Sequence, residues 1–149
     1  CGLVPCIIRF ADDFPQVTLA ISLHAPNDEI RGRMMPVNSK YPIKEVVDAA
    51  KKYSSMTGRR VTYEYALVKD VNDGDKEAEE LAELLSGTLS HVNLIPLNEV
   101  DETGLKSSAN VKRFKKILEE QNINVTIRRE LGSDIDAACG QLRLKSSSL

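Results

Sequence analysis

Three short stretches carry residue types that could do chemistry. In Ser22-Leu23-His24-Ala25-Pro26-Asn27-Asp28 a hydroxyl and an imidazole close an apolar run, where they could hold a polar cofactor or move a proton. A histidine that only caps a loop is the competing reading. Asn98 follows a second apolar run, Asn93 to Leu97, and taken alone it is equally ordinary turn chemistry. Cys139 lies among small neighbours, Ala137, Ala138 and Gly140, which would let a substrate come close to its sulfur. Asp134 and Asp136 precede it, and carboxylates raise a thiol pKa, so a simple Cys-His nucleophile does not fit. A buried structural thiol is the default reading of one isolated cysteine. Asn27 and Asp28 are better suited to capping a short helix through Arg33 than to binding.

Other chemistries are excluded by what is missing. Cys1, Cys6 and Cys139 show neither a C-x-x-C nor a finger-type spacing, which argues against a disulfide framework or a structural zinc. No G-x-x-x-x-G-K-[ST], G-x-S-x-G or H-E-x-x-H is present. The longest apolar stretch, Leu3 to Ile8, falls far short of the ~20 residues that span a bilayer, and no basic segment precedes it. A cytoplasmic protein without membrane partners is expected. The 149 residues, 42% hydrophobic with a net charge of −2, read as a single region ending in a frayed tail, 145–149. Charge is uneven: +2 over residues 1–67, −8 over 68–105 and +4 over 106–149. The acidic block reads as one solvated helix face, Asp75 to Glu83, and the basic excess is a weak signal for nucleic acid.

The elements that must position these residues alternate between two periods. Val17 to Leu23 is a mostly apolar run, as expected of a strand covered on both faces. Ile43, Val46, Val47 and Ala50 repeat at helical spacing, with Pro42 at the start and Gly58 at the exit. Val61 to Val68 is β-branched and aromatic, a second strand. Asn72-Asp73-Gly74-Asp75 offers turn chemistry and a helix cap ahead of the Ala78, Leu81, Ala82, Leu85 stripe. His91 to Pro96 is a third strand, followed by a polar loop. Ser107, Ser108 or Asn110 can cap a helix lined by Val111, Phe114, Ile117 and Leu118; Asn124 to Arg128 is the last strand, and residues 4–14 form a helix before the first. Strands alternating with helices predict an α/β protein with four parallel strands, whose ligands meet the carboxyl ends of the strands.

Four motifs, in order, resemble the RlmN/Cfr family of radical S-adenosylmethionine (SAM) enzymes, which methylate an adenine of 23S ribosomal RNA. They are Val17 to Asn38 around Ser22-Leu23-His24, Val71-Asn72-Asp73, Asn93 to Asn98, and Asp134 to Leu142. The resemblance implies the C-terminal portion of a partial (βα) radical-SAM barrel with helices outside, opening onto a [4Fe-4S] cluster. It implies that Ser22, Leu23, His24 and Asn98 contact SAM. Cys139 matches the cysteine that one SAM methylates; a radical made from a second takes hydrogen from that methyl group, and the carbon adds to the adenine. An RNA substrate (23S rRNA, with tRNA as a further one) and an electron donor for the cluster are the implied partners.

The three-cysteine cluster motif, the resolving cysteine and the family's N-terminal RNA-binding part have no counterpart in these residues. The cluster ligands are therefore expected outside this chain, no metal ligand within it, and the fragment inactive alone. The absent strands are expected to pair along Val17 to Leu23. Methylation at adenine carbon 2 is the leading expectation. A Cfr-type carbon-8 enzyme competes, since Pro15-Gln16-Val17, Tyr41-Pro42-Ile43 and His91-Val92-Asn93 also suit that branch. From another class, a non-catalytic half-barrel binding module would have no use for Cys139 in its motif.

Overall fold

A computed structural model describes residues 2–96 and 108–128. Helices and strands alternate along it: α1 (Val4–Asp13), β1 (Ala20–Ser22), α2 (Asp28–Met34), α3 (Ile43–Thr57), β2 (Val61–Leu67), α4 (Asp75–Leu85), β3 (Ser90–Pro96), α5 (Val111–Glu120) and β4 (Asn124–Ile127), with a 3-10 turn at Pro36–Ser39. All four strands are parallel, in the order β1-β2-β3-β4. Each strand lies beside its predecessor, as successive βα units require.

Helices α1, α3, α4 and α5 contribute to one core on one side of the sheet. Ile7 of α1, Val46 and Val47 of α3, Leu81 and Leu85 of α4, and Phe114 and Leu118 of α5 join Ile21, Tyr63, Tyr65, Val92, Leu94 and Val125 from the strands. The Tyr65 and Phe114 rings meet at 5.2 Å between centroids, a tilted aromatic pair. Leu94, 0% exposed, sits in the middle of this core. Leu94→Ala removes three side-chain carbons from a site that cannot fully collapse, so it should cost about 2–5 kcal/mol, measured as a lower urea midpoint at unchanged slope in the full-length protein.

One expectation is corrected here. The run Val17 to Leu23 is not a long strand covered on both faces: only Ala20–Ser22 pairs, and burial alternates, with Ile21 and Leu23 buried while Ala20 is exposed. The chain reaches β1 by a route pinned elsewhere, by the Tyr53 hydroxyl donating to the Val17 carbonyl and Arg59 Nε donating to the Pro15 carbonyl at 3.0 Å. Helix starts also differ in their chemistry. Asn72 and Asp73 do not cap α4, whose N-cap is Gly74 with no side-chain bond. At α5 the Ser108 hydroxyl accepts from the N–H of Asn110, the N-cap residue, whose own side chain makes no cap bond. The short helix after Asn27 forms as expected, with Asn27 Oδ1 accepting from Ile30 N–H at 3.0 Å.

Candidate active site

The face of the sheet away from the core is polar and open. Parallel sheets are ordinarily covered on both faces, so an uncovered polar face points to a ligand or to chain packed there. Register places Ser22 beside Glu64, Glu64 beside Asn93, and Asn93 beside Thr126, a row crossing all four strands on this face. Asn93 Nδ2 donates to Glu64 Oε2 at 3.0 Å, and the Thr126 hydroxyl donates to Asn93 Oδ1 at 3.2 Å. His91, one position back along β3 from Val92, adds its Nε2 to Thr126 Oγ1 at 2.9 Å. The other Glu64 oxygen and the Ser22 hydroxyl have no hydrogen-bond partner among the described residues. A carboxylate oxygen and a hydroxyl on adjacent strands thus remain available to a ligand with polar donors.

His24 stands at the carboxyl end of β1 in a left-handed backbone conformation, φ 59°. Non-glycine residues seldom adopt it, and a histidine there marks a position held by its surroundings. Its Nδ1 accepts from the Ala66 N–H at 3.0 Å, and its own N–H, with that of Leu23, is directed at the Glu64 carbonyl, 3.3 and 3.0 Å away. Because Nδ1 is an acceptor, the proton of the neutral ring sits on Nε2, which has no partner among the described residues and remains a donor. Burial, reinforced by the Arg31 charge, holds the His24 pKa below the ordinary histidine value, so the neutral ring is the form present at pH 7.

Behind the strand ends lies a polar scaffold. Asn72, 0% exposed, accepts from Val68 N–H at 2.7 Å and donates to the His24 and Ala66 carbonyls, each at 2.8 Å. Asp73 accepts from the Asp70 N–H at 2.9 Å and from the Ser108 hydroxyl at 2.6 Å, joining the end of β2 to the approach to α5. Arg31, 0% exposed, donates to Asn38 Oδ1 at 2.8 Å and fixes the segment after His24. Gly2 approaches that arginine so closely that a Cβ would lie 3.0 Å from its Nη2. Asp28 completes the scaffold by accepting from the Ile43 N–H at 2.7 Å.

Of the residues singled out in the sequence, the structure brings Ser22 and His24 to one strand end facing the open side. The Leu23 side chain instead lies in the core at 0% exposure, leaving only its main chain at that end. Asn98 and Cys139 lie outside the described residues. Glu64 has no functional reading from sequence, and Asn72 and Asn93 stand there only inside family motifs, with no role of their own. Glu64 and Asn93 carried a signal, polar residues at period two within apolar strands, Thr62 and Glu64, His91 and Asn93.

These residues fit SAM in its chemistry. A neutral imidazole donor, a free hydroxyl and an unshared carboxylate oxygen match a ligand with carboxylate, hydroxyl and cationic groups. They do not fit an iron-sulfur cluster: among the described residues no group of three His, Cys, Asp or Glu could hold a metal, and Cys6 is exposed and in no disulfide. Among the described residues no helix is long and apolar enough to cross a membrane.

Comparison with known proteins places this geometry in context. No family model matches the chain. The probable dual-specificity RNA methyltransferase RlmN of a Thermoanaerobacter species is 54% identical over 147 residues, 97% of this chain and 43% of that protein. Its counterpart in Pelotomaculum thermopropionicum is 57% identical over 148 residues, 97% of this chain and 40% of that protein. A crystal structure of a radical SAM methyltransferase from Sphaerobacter thermophilus superposes with a TM-score of 0.89 at 51% identity, covering 94% of this chain and 42% of that one. The chain thus spans about two fifths of the length of the curated relatives it matches. Its four-stranded parallel sheet is accordingly one arc of a partial (βα) barrel.

Proposed function

Since this chain resembles the RlmN/Cfr family of radical SAM methyltransferases over nearly all of its length, we propose that it is the C-terminal portion of an enzyme that methylates carbon 2 of an adenine in 23S rRNA, with tRNA as a second substrate. The observation that carries the reading is the polar open face ending in Ser22 and His24, set in a sheet that matches a radical SAM methyltransferase. In this reading Ser22, the main chain of Leu23, His24 and Asn98 hold SAM, and Cys139 carries the methyl carbon on its way to the adenine. When bound, SAM supplies that carbon and, with a reduced [4Fe-4S] cluster, the one-electron oxidising power that an unactivated ring carbon demands.

The chain's own residues orient and exclude rather than transfer protons. His24 offers Nε2–H as a fixed donor, Ser22 offers a hydroxyl, and the Glu64–Asn93–Thr126 row lines the lumen with groups already committed to one another. Such preorganised donors need no rearrangement when a ligand arrives. The cluster ligands and the RNA-gripping part belong, in this reading, to the remainder of a longer cytoplasmic protein supplied with electrons by a separate donor. That remainder would pair along the open edge of β1, where Leu3, Phe14 and Val17 stay 47%, 47% and 40% exposed.

Nuclease digestion and mass spectrometry of rRNA from a strain lacking the full-length protein, before and after its return, tests the assignment. The mark restored should be 2-methyladenosine. An 8-methyladenosine would move the protein to the Cfr-type branch, and no restored mark at all would leave a half-barrel that binds without catalysing.

A further inference from the structure

We propose that Asn72 is the positioning residue of the cofactor-facing strand end: from a buried site it clamps the His24 main chain to the end of β2 and so fixes which imidazole nitrogen faces the lumen. The proposal rests on the reading that His24 meets SAM, but the clamp itself is a property of this chain's own geometry.

An asparagine amide offers two N–H donors and one oxygen. Both donors of Asn72 are spent on carbonyls, one of them Ala66 O, local to β2, the other His24 O, 48 residues away in sequence and on the neighbouring strand's exit. Its oxygen takes the Val68 N–H, and its own carbonyl accepts the Tyr65 hydroxyl at 2.9 Å, so the residue is anchored on three sides before it touches His24. A residue needed only to turn the chain after β2 would be satisfied by Val68 and Ala66. The bond to His24 crosses between strands, and it holds a residue with φ 59°.

The consequence for the ring follows from where the ring is tethered. Ala66 supplies both ends of the clamp: its carbonyl accepts from Asn72 and its N–H donates to His24 Nδ1. With the His24 main chain and Ala66 held at one amide group, the Nδ1 contact is maintained, and the Nε2–H tautomer with it. Releasing His24 O frees the backbone to leave the left-handed region, which swings the ring off Ala66. Met34 Sδ, 3.8 Å from Asn72 Nδ2, closes the site without supplying a competing strong acceptor.

The test uses the full-length protein with its cofactors and 15N-labelled histidine, with the His24 signals assigned from a His24→Asn variant. In the unmodified protein His24 should show an unprotonated Nδ1 and a protonated Nε2; the reverse tautomer would overturn the proposal without any further variant. Asn72→Asp keeps the shape and the Val68 acceptor but turns two donors into an oxygen facing two carbonyls. It should populate both His24 tautomers and raise the SAM dissociation constant at least tenfold, while kcat at saturating SAM falls no more than threefold. An unchanged tautomer in folded Asn72→Asp would overturn the clamp. A shifted tautomer with SAM affinity unchanged in both Asn72→Asp and His24→Asn would uphold the clamp and instead remove His24 from the cofactor site.

Discussion

Replacing Cys139 by alanine in the full-length protein should abolish methyl transfer to RNA, a loss of about 10³-fold or more, of the size seen when a covalent participant is removed. The expectation follows from the chemistry assigned to that sulfur. It has small neighbours that admit an adenine ring and two acids upstream that disfavour its use as an ordinary thiolate nucleophile. A carrier of carbon needs neither a general base nor a low pKa once it is methylated, and alanine has no atom on which carbon can ride. SAM binding should survive, because the described residues proposed to hold SAM lie at the end of β1. Incorporation of a labelled methyl group into RNA, alongside equilibrium dialysis of SAM, measures both halves. Retained transfer by Cys139→Ala would remove the cysteine from the reaction.

The second large effect belongs to His24. His24→Asn keeps a residue that tolerates the left-handed conformation, so it isolates the ring from the backbone. Loss of the Nε2–H donor should raise the SAM KM at least tenfold with a smaller change in kcat, the pattern of a binding contact. The pH dependence has a fixed sign. Burial and Arg31 lower the His24 pKa below 6.5, so the ring is neutral, and affinity flat, from pH 7 upward. As pH falls below 6.5 toward the lowered folded value, the unfolded chain takes up a proton before the folded one does, and folding stability declines. Protonation in the folded state then places a hydrogen on Nδ1 against the Ala66 N–H, and SAM affinity falls with it. Dialysis between pH 5.5 and 8.5 checks the profile; His24→Asn should flatten its acid limb.

Much of this arrangement was legible before any coordinate. Helical and strand periods are strong where a single face is buried, and α3, α4, α5, β2 and β3 each stand within a residue or two of where spacing put them. The parallel order follows from strand-helix alternation, and the Ser22 and His24 placement from the rule that ligands meet strand ends. What sequence could not supply was pairing across strands. Glu64 and Asn93 read as solvent-side residues of separate strands until register joins them. Asn72 reads as turn chemistry because its decisive bond, to His24 O, spans 48 positions. Val17 to Leu23 misled for a related reason: Val17 and Leu19 are apolar, which suggested cover on both faces, but they precede the three paired residues, and while Leu19 packs against the core, Val17 stays 40% exposed. The role of Cys139 came from its motif, since no local pattern distinguishes a carbon-carrying cysteine from a structural one.

If this chain bears the cysteine through which a radical SAM enzyme passes carbon to RNA, peptide mass spectrometry of the full-length protein after incubation with methyl-deuterated SAM should find a labelled methyl group on the Cys139 sulfur. Label should then appear on carbon 2 of the RNA adenine once substrate and reductant are added. RNA methylated while Cys139 stays unmodified throughout would contradict that route.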